Sequence, residues 1–328
     1  MSKGTVAVTG ATGTIGPAVV HQLVADGWEV RAFARHPPPI GLLPERVQFV
    51  QGDVLDEKAL RVLLEGTHAV HHLAGHAHSP STGASAAEYS RVNVDGARTV
   101  VNVAQGLQVP HFVYYSSTSV YGTTEGRPPA DEDTPIHPVG AYAASKAAAE
   151  QIVLMTFGDQ STVLRLAAVY GPRVKGNYRR LLHAISHGRY VSIGPGLNRR
   201  TVVFVDDVAS AAVLAARANA PRRVFNVSDG QIHQLREIVA AIGAAVGKTP
   251  PATHIPVAAA RLAARLFDLA AALRLTAPGT PQLAKYLEDS AVRADRIQHE
   301  LGFRPAFDLT LGWRNVAEAM RREGAEYS

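Results

Sequence analysis

Tyr142 and Lys146 stand four apart in the run "AYAASKAAAE" at 141–150. Alanine-rich sequence favours helix, and the i,i+4 spacing puts both side chains on one helix face. A phenol with a pKa near ~10 is a poor base at neutral pH, and a neighbouring ammonium favours its ionised form. The pair therefore suits proton transfer, and an exposed, solvated pair has the same spacing. Ser116 and Ser117 close the run "HFVYYSS" at 111–117, which reads as a strand. Open α/β sheets place ligands beyond the carboxyl ends of their strands, although hydroxyls there also cap turns.

The elements that must position these groups begin at the N-terminus. "GTVAVTGATGTIGPAVVHQLVADGWEVRAFAR" at 4–35 reads as strand, glycine turn, helix, strand. Gly10, Gly13 and Gly16 punctuate the turn, Pro17 suits a first helical turn and Gly27 ends the helix. Such a turn lets backbone N–H groups approach a pyrophosphate at the helix N-terminus. At the end of the second strand, where an acid would hold a ribose 2′-hydroxyl, stands Arg35. A guanidinium there suits a 2′-phosphate, which favours NADP(H) over NAD(H). "VQFVQGDVLD" predicts a third strand ending at Asp53, and "THAVHHLAGHAH" a fourth ending near Ala74 and Gly75. Strands alternating with helices at this spacing predict an α/β fold with a doubly wound parallel sheet.

Composition narrows the function classes. The chain has 328 residues, 46% of them apolar, enough for a sizeable core. With no leader pattern and no apolar run of the ~18 residues a span needs, a soluble cytoplasmic chain is expected. There is no cysteine, hence no disulfide, thiolate metal site or cysteine nucleophile. The net charge is +5, and from Gln160 to Val205 there is no Asp or Glu against Arg165, Arg173, Lys175, Arg179, Arg180, Arg189, Arg199 and Arg200. That block suits an anionic ligand. No aromatic-interleaved platform or recognition helix accompanies it, so nucleic acid is not the expected partner.

"TGATGTIG" at 9–16, "GDVLD" at 52–56, "HLAG" at 72–75, "NVDGARTVV" at 93–101, "SSTSVYG" at 116–122, "YAASK" at 142–146 and "LRLAAVYGP" at 164–172 occur in one order across most of the chain. Together they resemble the extended short-chain dehydrogenase/reductase family, the NAD(P)-dependent epimerases and dehydratases. The resemblance implies a Rossmann domain over residues 1–172 and a smaller α/β substrate domain over 173–328, with about 201–227 returning to the first. It implies a catalytic group of Ser117, Tyr142 and Lys146. Tyr142 would move a proton to or from a substrate oxygen, Ser117 would bond that oxygen, and Lys146 would hold the nicotinamide ribose. Cofactor contacts are implied at Gly10, Thr12, Gly13, Thr14, Ile15, Gly16, Asp53, Val54, Leu73, Ala74, Gly75, Asn93 and Val169, beside Arg35. A homodimer through residues 86–107 and 140–158 is implied as well.

The sequence also departs from the family pattern. Sugar 4,6-dehydratases carry acids after the catalytic hydroxyl, where this chain has Thr118 and Ser119. Dehydratase chemistry is therefore disfavoured. The second half resembles bacterial UDP-hexose 4-epimerases and 4-ketoreductases, which implies that Asn177 and Arg200 meet a nucleotide diphosphate and that His76 and Thr118 line the substrate. Ala168 stands where some of these enzymes have Asn, which weakens the sugar assignment. The expected activity is NADP(H)-dependent reduction of a keto group, at C4 of a UDP-linked sugar. The alternatives are a UDP-hexose 4-epimerase retaining NAD, a dehydrogenase/reductase of a sterol-like or other small hydroxy/keto compound, and a non-catalytic NADP(H) sensor, which the presence of Tyr142 and Lys146 disfavours.

Three further features have structural explanations. His68, His71, His72, His76 and His78 invite a zinc site but lack carboxylate or cysteine ligands nearby, so His72 is expected to be structural and His76 and His78 to lie on a substrate-lining loop. Asp206 and Asp207 are expected to cap or charge a helix start rather than bind metal. Leu262, Leu266, Leu269 and Leu273 form a 3.6-period stripe, expected to pack into the substrate domain, with membrane-surface attachment as the other reading.

Overall fold

Short runs of β-branched and aromatic residues, connected through helices except between the second and third, assemble a single parallel sheet. The computed structural model describes residues 3–76, 85–173, 176–217, 223–251, 253–272 and 280–322, with backbone alone for 269–272 and 280–282. The seven strands are β1 (Thr5–Thr9), β2 (Glu29–Ala34), β3 (Gln48–Gln51), β4 (Ala69–His72), β5 (His111–Ser117), β6 (Ser161–Leu166) and β7 (Arg223–Val227). Their order is β7-β6-β5-β4-β1-β2-β3, and every pairing is parallel. The chain runs outward from β1 to β3 and then crosses to β4 on the other side of β1. That reversal opens a crevice beyond the carboxyl ends of β1 and β4, where a ligand can enter between loops that diverge.

Both faces of the sheet are covered, which is why its strands read as nearly continuous apolar runs rather than alternating ones. On one face the helices Gly16–Ala25 and Val205–Arg217 bury Val19, Leu23, Val208 and Ala212 against Val6, Val8 and Leu164. On the other, Glu57–Leu64, Gly96–Gly106 and Ala141–Phe157 bury Leu60, Val100 and Val153 against Phe33, Phe112 and Val163. Asp56 accepts from the Lys58 and Ala59 N–H groups and starts the Glu57–Leu64 helix. Truncating fully buried Leu60 to alanine would cost ~2–5 kcal/mol.

A third cluster, built on Tyr170, Leu182, Ile238 and Trp313, lies outside the large sheet. Its scaffold consists of helices and three small pairings: Ala168–Tyr170 with Val202–Phe204, Arg199–Arg200 with His233–Gln234, and Ser192–Ile193 with His254–Ile255. Asp206 and Asp207 stand in the first turn of the helix Val205–Arg217, as expected, and buried Asp207 also accepts from the Ala306 and Phe307 N–H groups at 2.7 and 3.2 Å, tying residues 306–307 to that helix. One sequence expectation changes here. The leucine stripe of the helix Val257–Ala272 does not pack inward, because Leu262 and Leu266 are each 62% exposed. The Leu269 side chain and Leu273 lie outside the described residues.

Candidate active site

Lys146 projects from the helix Ala141–Phe157 into the floor of the crevice. Its side chain is buried, its Nζ donates to the Tyr115 carbonyl at 2.6 Å and it lies 4.7 Å from the centre of the Tyr114 ring. Burial pulls its pKa down to about 8, against the opposing pull of the Glu150 carboxylate. At neutral pH it is still an ammonium. Its other donors have no hydrogen-bond partner among the described residues, so the charge is available to a ligand.

Tyr142 sits one turn earlier, half-buried, and shares a side-chain hydrogen bond with Ser117 at the end of β5. Burial raises the pKa of the phenol, and the Ser117 bond opposes that shift. Ser117 Oγ also accepts from the Ser119 N–H at 3.2 Å, which fixes the turn that follows the strand. The three residues of the expected catalytic group thus stand at one strand end and on one helix. Thr118 lies beside them in the same turn, half-buried.

Asn93 holds the neighbouring wall. Its Oδ1 accepts from the His76 N–H at 2.6 Å, while its Nδ2 donates to the His76 carbonyl at 3.2 Å and to Ser145 Oγ at 2.9 Å. Ser145 in turn donates to the Tyr142 carbonyl at 2.8 Å. One amide therefore ties the loop after β4 to the helix of Tyr142. Asn93 reaches both because Ser90–Asp95 is a π-helical turn between the helices Ala86–Tyr89 and Gly96–Gly106. Tyr89 stands edge-on to both Tyr142 and His76, at centroid distances of 5.9 and 6.4 Å.

The glycine turn lies across the crevice. Gly10 has φ +70°, and a Cβ there would come within 2.7 Å of the Ala74 nitrogen. A Cβ on Gly16 would collide with the carbonyl oxygens of Gly10 and Ala11. Gly13 donates to the Gly10 carbonyl at 2.9 Å, and Ile15 leads into the helix Gly16–Ala25, whose first N–H groups open toward the crevice. Thr12 and Thr14 are half-buried on this turn. Leu73, Ala74 and Gly75 follow β4 directly, with Leu73 N–H on the Thr9 carbonyl. Arg35 is exposed just past β2, while Asp53 accepts from the Leu55 N–H at 3.0 Å and Val54 is buried past β3. Val169 lies half-buried in the strand after β6. A turn closed to side chains beside a helix N-terminus, with the Lys146 ammonium opposite, fits a dinucleotide.

The basic block is not one surface. Arg165 is buried and paired with Glu150, donating from Nε to both carboxylate oxygens at 3.2 Å and from Nη1 to the Tyr121 hydroxyl at 2.7 Å. Tyr121 donates to Asn226 Oδ1 at 2.8 Å. Arg199 pairs with Asp289 at 2.8 Å. Arg200 donates to the Lys285 and Tyr286 carbonyls at 2.9 and 2.8 Å and to Ser290 Oγ at 3.3 Å, with Glu288 at 3.9 Å. These three arginines satisfy internal acceptors instead of forming an open anion site. Asn177 is exposed at the start of the helix Asn177–Ser186. Lys175 and His78 lie outside the described residues.

The histidines separate because adjacent strand residues face opposite ways. His71 Nδ1 meets the Tyr115 hydroxyl at 2.8 Å and His72 Nδ1 meets Thr9 Oγ1 at 2.7 Å, on opposite faces of β4. Burial pulls both pKa values down to about 3 and keeps the rings neutral. His68 packs on Trp28 at 5.5 Å. Sequence reasoning missed Glu150, Tyr121, Asn226 and Ser145. The signal available was Glu150 at i+4 from Lys146, a buried-face position that a carboxylate occupies only with a partner.

Residues 6–228 match the NAD dependent epimerase/dehydratase family. The chain belongs to that family. Its members are enzymes of the extended short-chain dehydrogenase/reductase type, and this chain is one. It is 25% identical over 315 residues to the N-acetyl-alpha-D-glucosaminyl-diphospho-ditrans,octacis-undecaprenol 4-epimerase of Escherichia coli O157:H7, covering 94% of this chain and 92% of that one. It is 29% identical over 308 residues to a 4-hydroxy-2-methyl-3-oxo-4-farnesyl-3,4-dihydroquinoline-1-oxide ketoreductase of Stigmatella aurantiaca, covering 90% of each. Among solved structures, the Thermus thermophilus UDP-glucose 4-epimerase complex with NAD superposes with a TM-score of 0.77 at 26% identity, over 97% of this chain and 99% of that one.

Proposed function

We propose that this enzyme is an NADP(H)-dependent oxidoreductase that reduces a keto group, at C4 of a UDP-linked sugar, with Tyr142 as the proton donor. The observation that carries this reading is the convergence of Ser117, Tyr142 and Lys146 at the carboxyl end of β5, opposite the glycine turn. A bound nicotinamide supplies the hydride to the carbonyl carbon. Tyr142 gives its proton to the carbonyl oxygen, and the Ser117 hydroxyl bonds the same oxygen and aligns it. A phenol whose pKa burial has raised holds its proton at neutral pH, as a reductive step needs. The Lys146 ammonium then stabilises the phenolate left behind. Asn93 and Ser145 hold Tyr142 and the His76 loop in register.

Arg35 supports NADP(H), because a guanidinium just past β2 suits a 2′-phosphate. Residues 1–172 and about 201–227 would carry the nucleotide, and the remainder of 173–328 the substrate. Arg200 would have to release the Lys285 and Tyr286 carbonyls to reach a diphosphate. Met155, 76% exposed on the helix of Tyr142, goes with a homodimer through residues 86–107 and 140–158, which light scattering would test.

A UDP-hexose 4-epimerase retaining NAD is the second reading, favoured by the similarity to a 4-epimerase solved with NAD. The two readings separate in one experiment. The purified enzyme is denatured and the released nucleotide identified, and fresh enzyme is assayed with UDP-hexoses and their 4-keto forms. An empty site that takes NADPH and reduces the 4-keto sugar supports the first reading. Retained NAD with UDP-glucose/UDP-galactose interconversion replaces it with the second, and inertness toward every UDP-sugar removes both. Arg35→Asp should lower the preference for NADPH over NADH by about tenfold or more, the scale of a charge-assisted phosphate contact.

A further inference from the structure

The helix Val257–Ala272 carries its apolar stripe on the side away from the protein. Ala264 is its buried anchor, at 6% exposure. At the helical advance of ~100° per residue, Leu262 and Leu266 lie diametrically opposite Ala264, one turn apart. Arg261 and Arg265 lie together on one flank of that stripe, both exposed, while the helix's one acid, Asp268, is on the inner side and half-buried. The apolar surface continues beside it. Ile255, just before the helix and 42% exposed, pairs in register with Ile193, and Val191 is 55% exposed next to the exposed Arg189. An outward leucine stripe rimmed by cations on a chain of net charge +5 has a stated complement: an anionic, partly apolar surface.

We propose that this face docks the enzyme on the surface of an anionic lipid bilayer. Leu262 and Leu266 would enter the boundary between headgroups and acyl chains, with Arg261 and Arg265 at the lipid phosphates. Among the described residues no helix is long and apolar enough to cross a membrane, so this one would lie in the plane of the interface. Charge argues against a second copy as the occupant, because two such faces packed together would crowd their arginines at one seam. The proposal stands apart from the nucleotide-sugar reading, since bilayer binding is measured without substrate.

The test is sedimentation of the full chain with vesicles of phosphatidylglycerol and, separately, of phosphatidylcholine. Binding to phosphatidylglycerol, weakened by added salt, is expected. The Leu262→Ser/Leu266→Ser variant should lose at least about tenfold in partition, and Arg261→Glu/Arg265→Glu about tenfold or more. Both variants should keep the wild-type melting temperature and dinucleotide affinity, which separates lost docking from lost folding. A wild-type chain that sediments with neither vesicle, or a leucine variant that binds as well as wild type, overturns the proposal. A concentration-dependent dimer that the leucine variant abolishes, without vesicle binding, replaces the bilayer with a second copy.

Discussion

The face around Tyr142 and the lobe around Arg200 are built in opposite ways. At the first, β5 and the helix Ala141–Phe157 are held by the sheet and by buried apolar side chains, so a motif residue points where its backbone element points. At the second, pairings two residues long and arginine-to-carbonyl bonds replace the sheet. There a motif residue is itself structural material. Local motifs therefore locate chemistry where rigid elements carry them, and mislead where the side chain does the holding.

The contrast is sharpest at Tyr142. Tyr142→Phe should lower turnover by about 10²–10⁴-fold, the scale of a lost general acid. Dinucleotide affinity and melting temperature should stay near wild type, because the ring and its edge-on packing with Tyr89 are kept. Turnover within a factor of a few of wild type would falsify the role assigned to the phenol.

Glu150 tests whether that face is rigid because of its buried ion pair. Glu150→Ala leaves the Arg165 guanidinium buried without its counter-charge, and thermal or urea unfolding should show a loss of ~3–5 kcal/mol. An unchanged unfolding curve would mean that the pair does not hold the helix to β6.

Acid should strike the sheet next. His71 and His72 have folded pKa values of about 3, below the ordinary ~6.5 of the unfolded chain. Between those values the unfolded state binds more protons, so the stability due to their neutrality is present above about 6.5 and is lost as pH falls toward 3. At pH ~5 the loss is up to ~2 kcal/mol per histidine. His71→Phe should flatten the fall of melting temperature between neutral and mildly acid buffer, and an unaltered slope would refute the assignment.

Arg200→Ala has the smallest expected effect, about 1 kcal/mol, because its bonds are partly solvated. The readout is a split. A lower melting temperature with unchanged KM for a UDP-sugar marks Arg200 as structural, while a raised KM at unchanged melting temperature restores it to the diphosphate and removes the contrast between the two regions.

Much of the fold was legible because its signals are local. The glycine turn between β1 and its helix, the strand ends at Ala34 and Ser117 and the helix of Tyr142 all follow from short-range pattern. The leucine stripe of Val257–Ala272 was equally visible, but periodicity reports that a helix has an apolar side without reporting which side meets the core. Asp207 shows a related limit: its place in a first helical turn was legible, but its bonds from the distant Ala306 and Phe307 N–H groups were not.

By itself the amino-acid sequence determined which elements form, and the spacing that puts Tyr142 and Lys146 on one helix face. Those depend on backbone conformation over a few residues. Only the tertiary structure decided that Arg165 neutralises Glu150, that Arg200 binds the carbonyls after residue 284 and that Asn93 ties the His76 loop to the helix of Tyr142. A charged or amide side chain takes whichever acceptor the fold brings within hydrogen-bond reach, and residues 15 to 86 positions away cannot be ranked until the chain has closed.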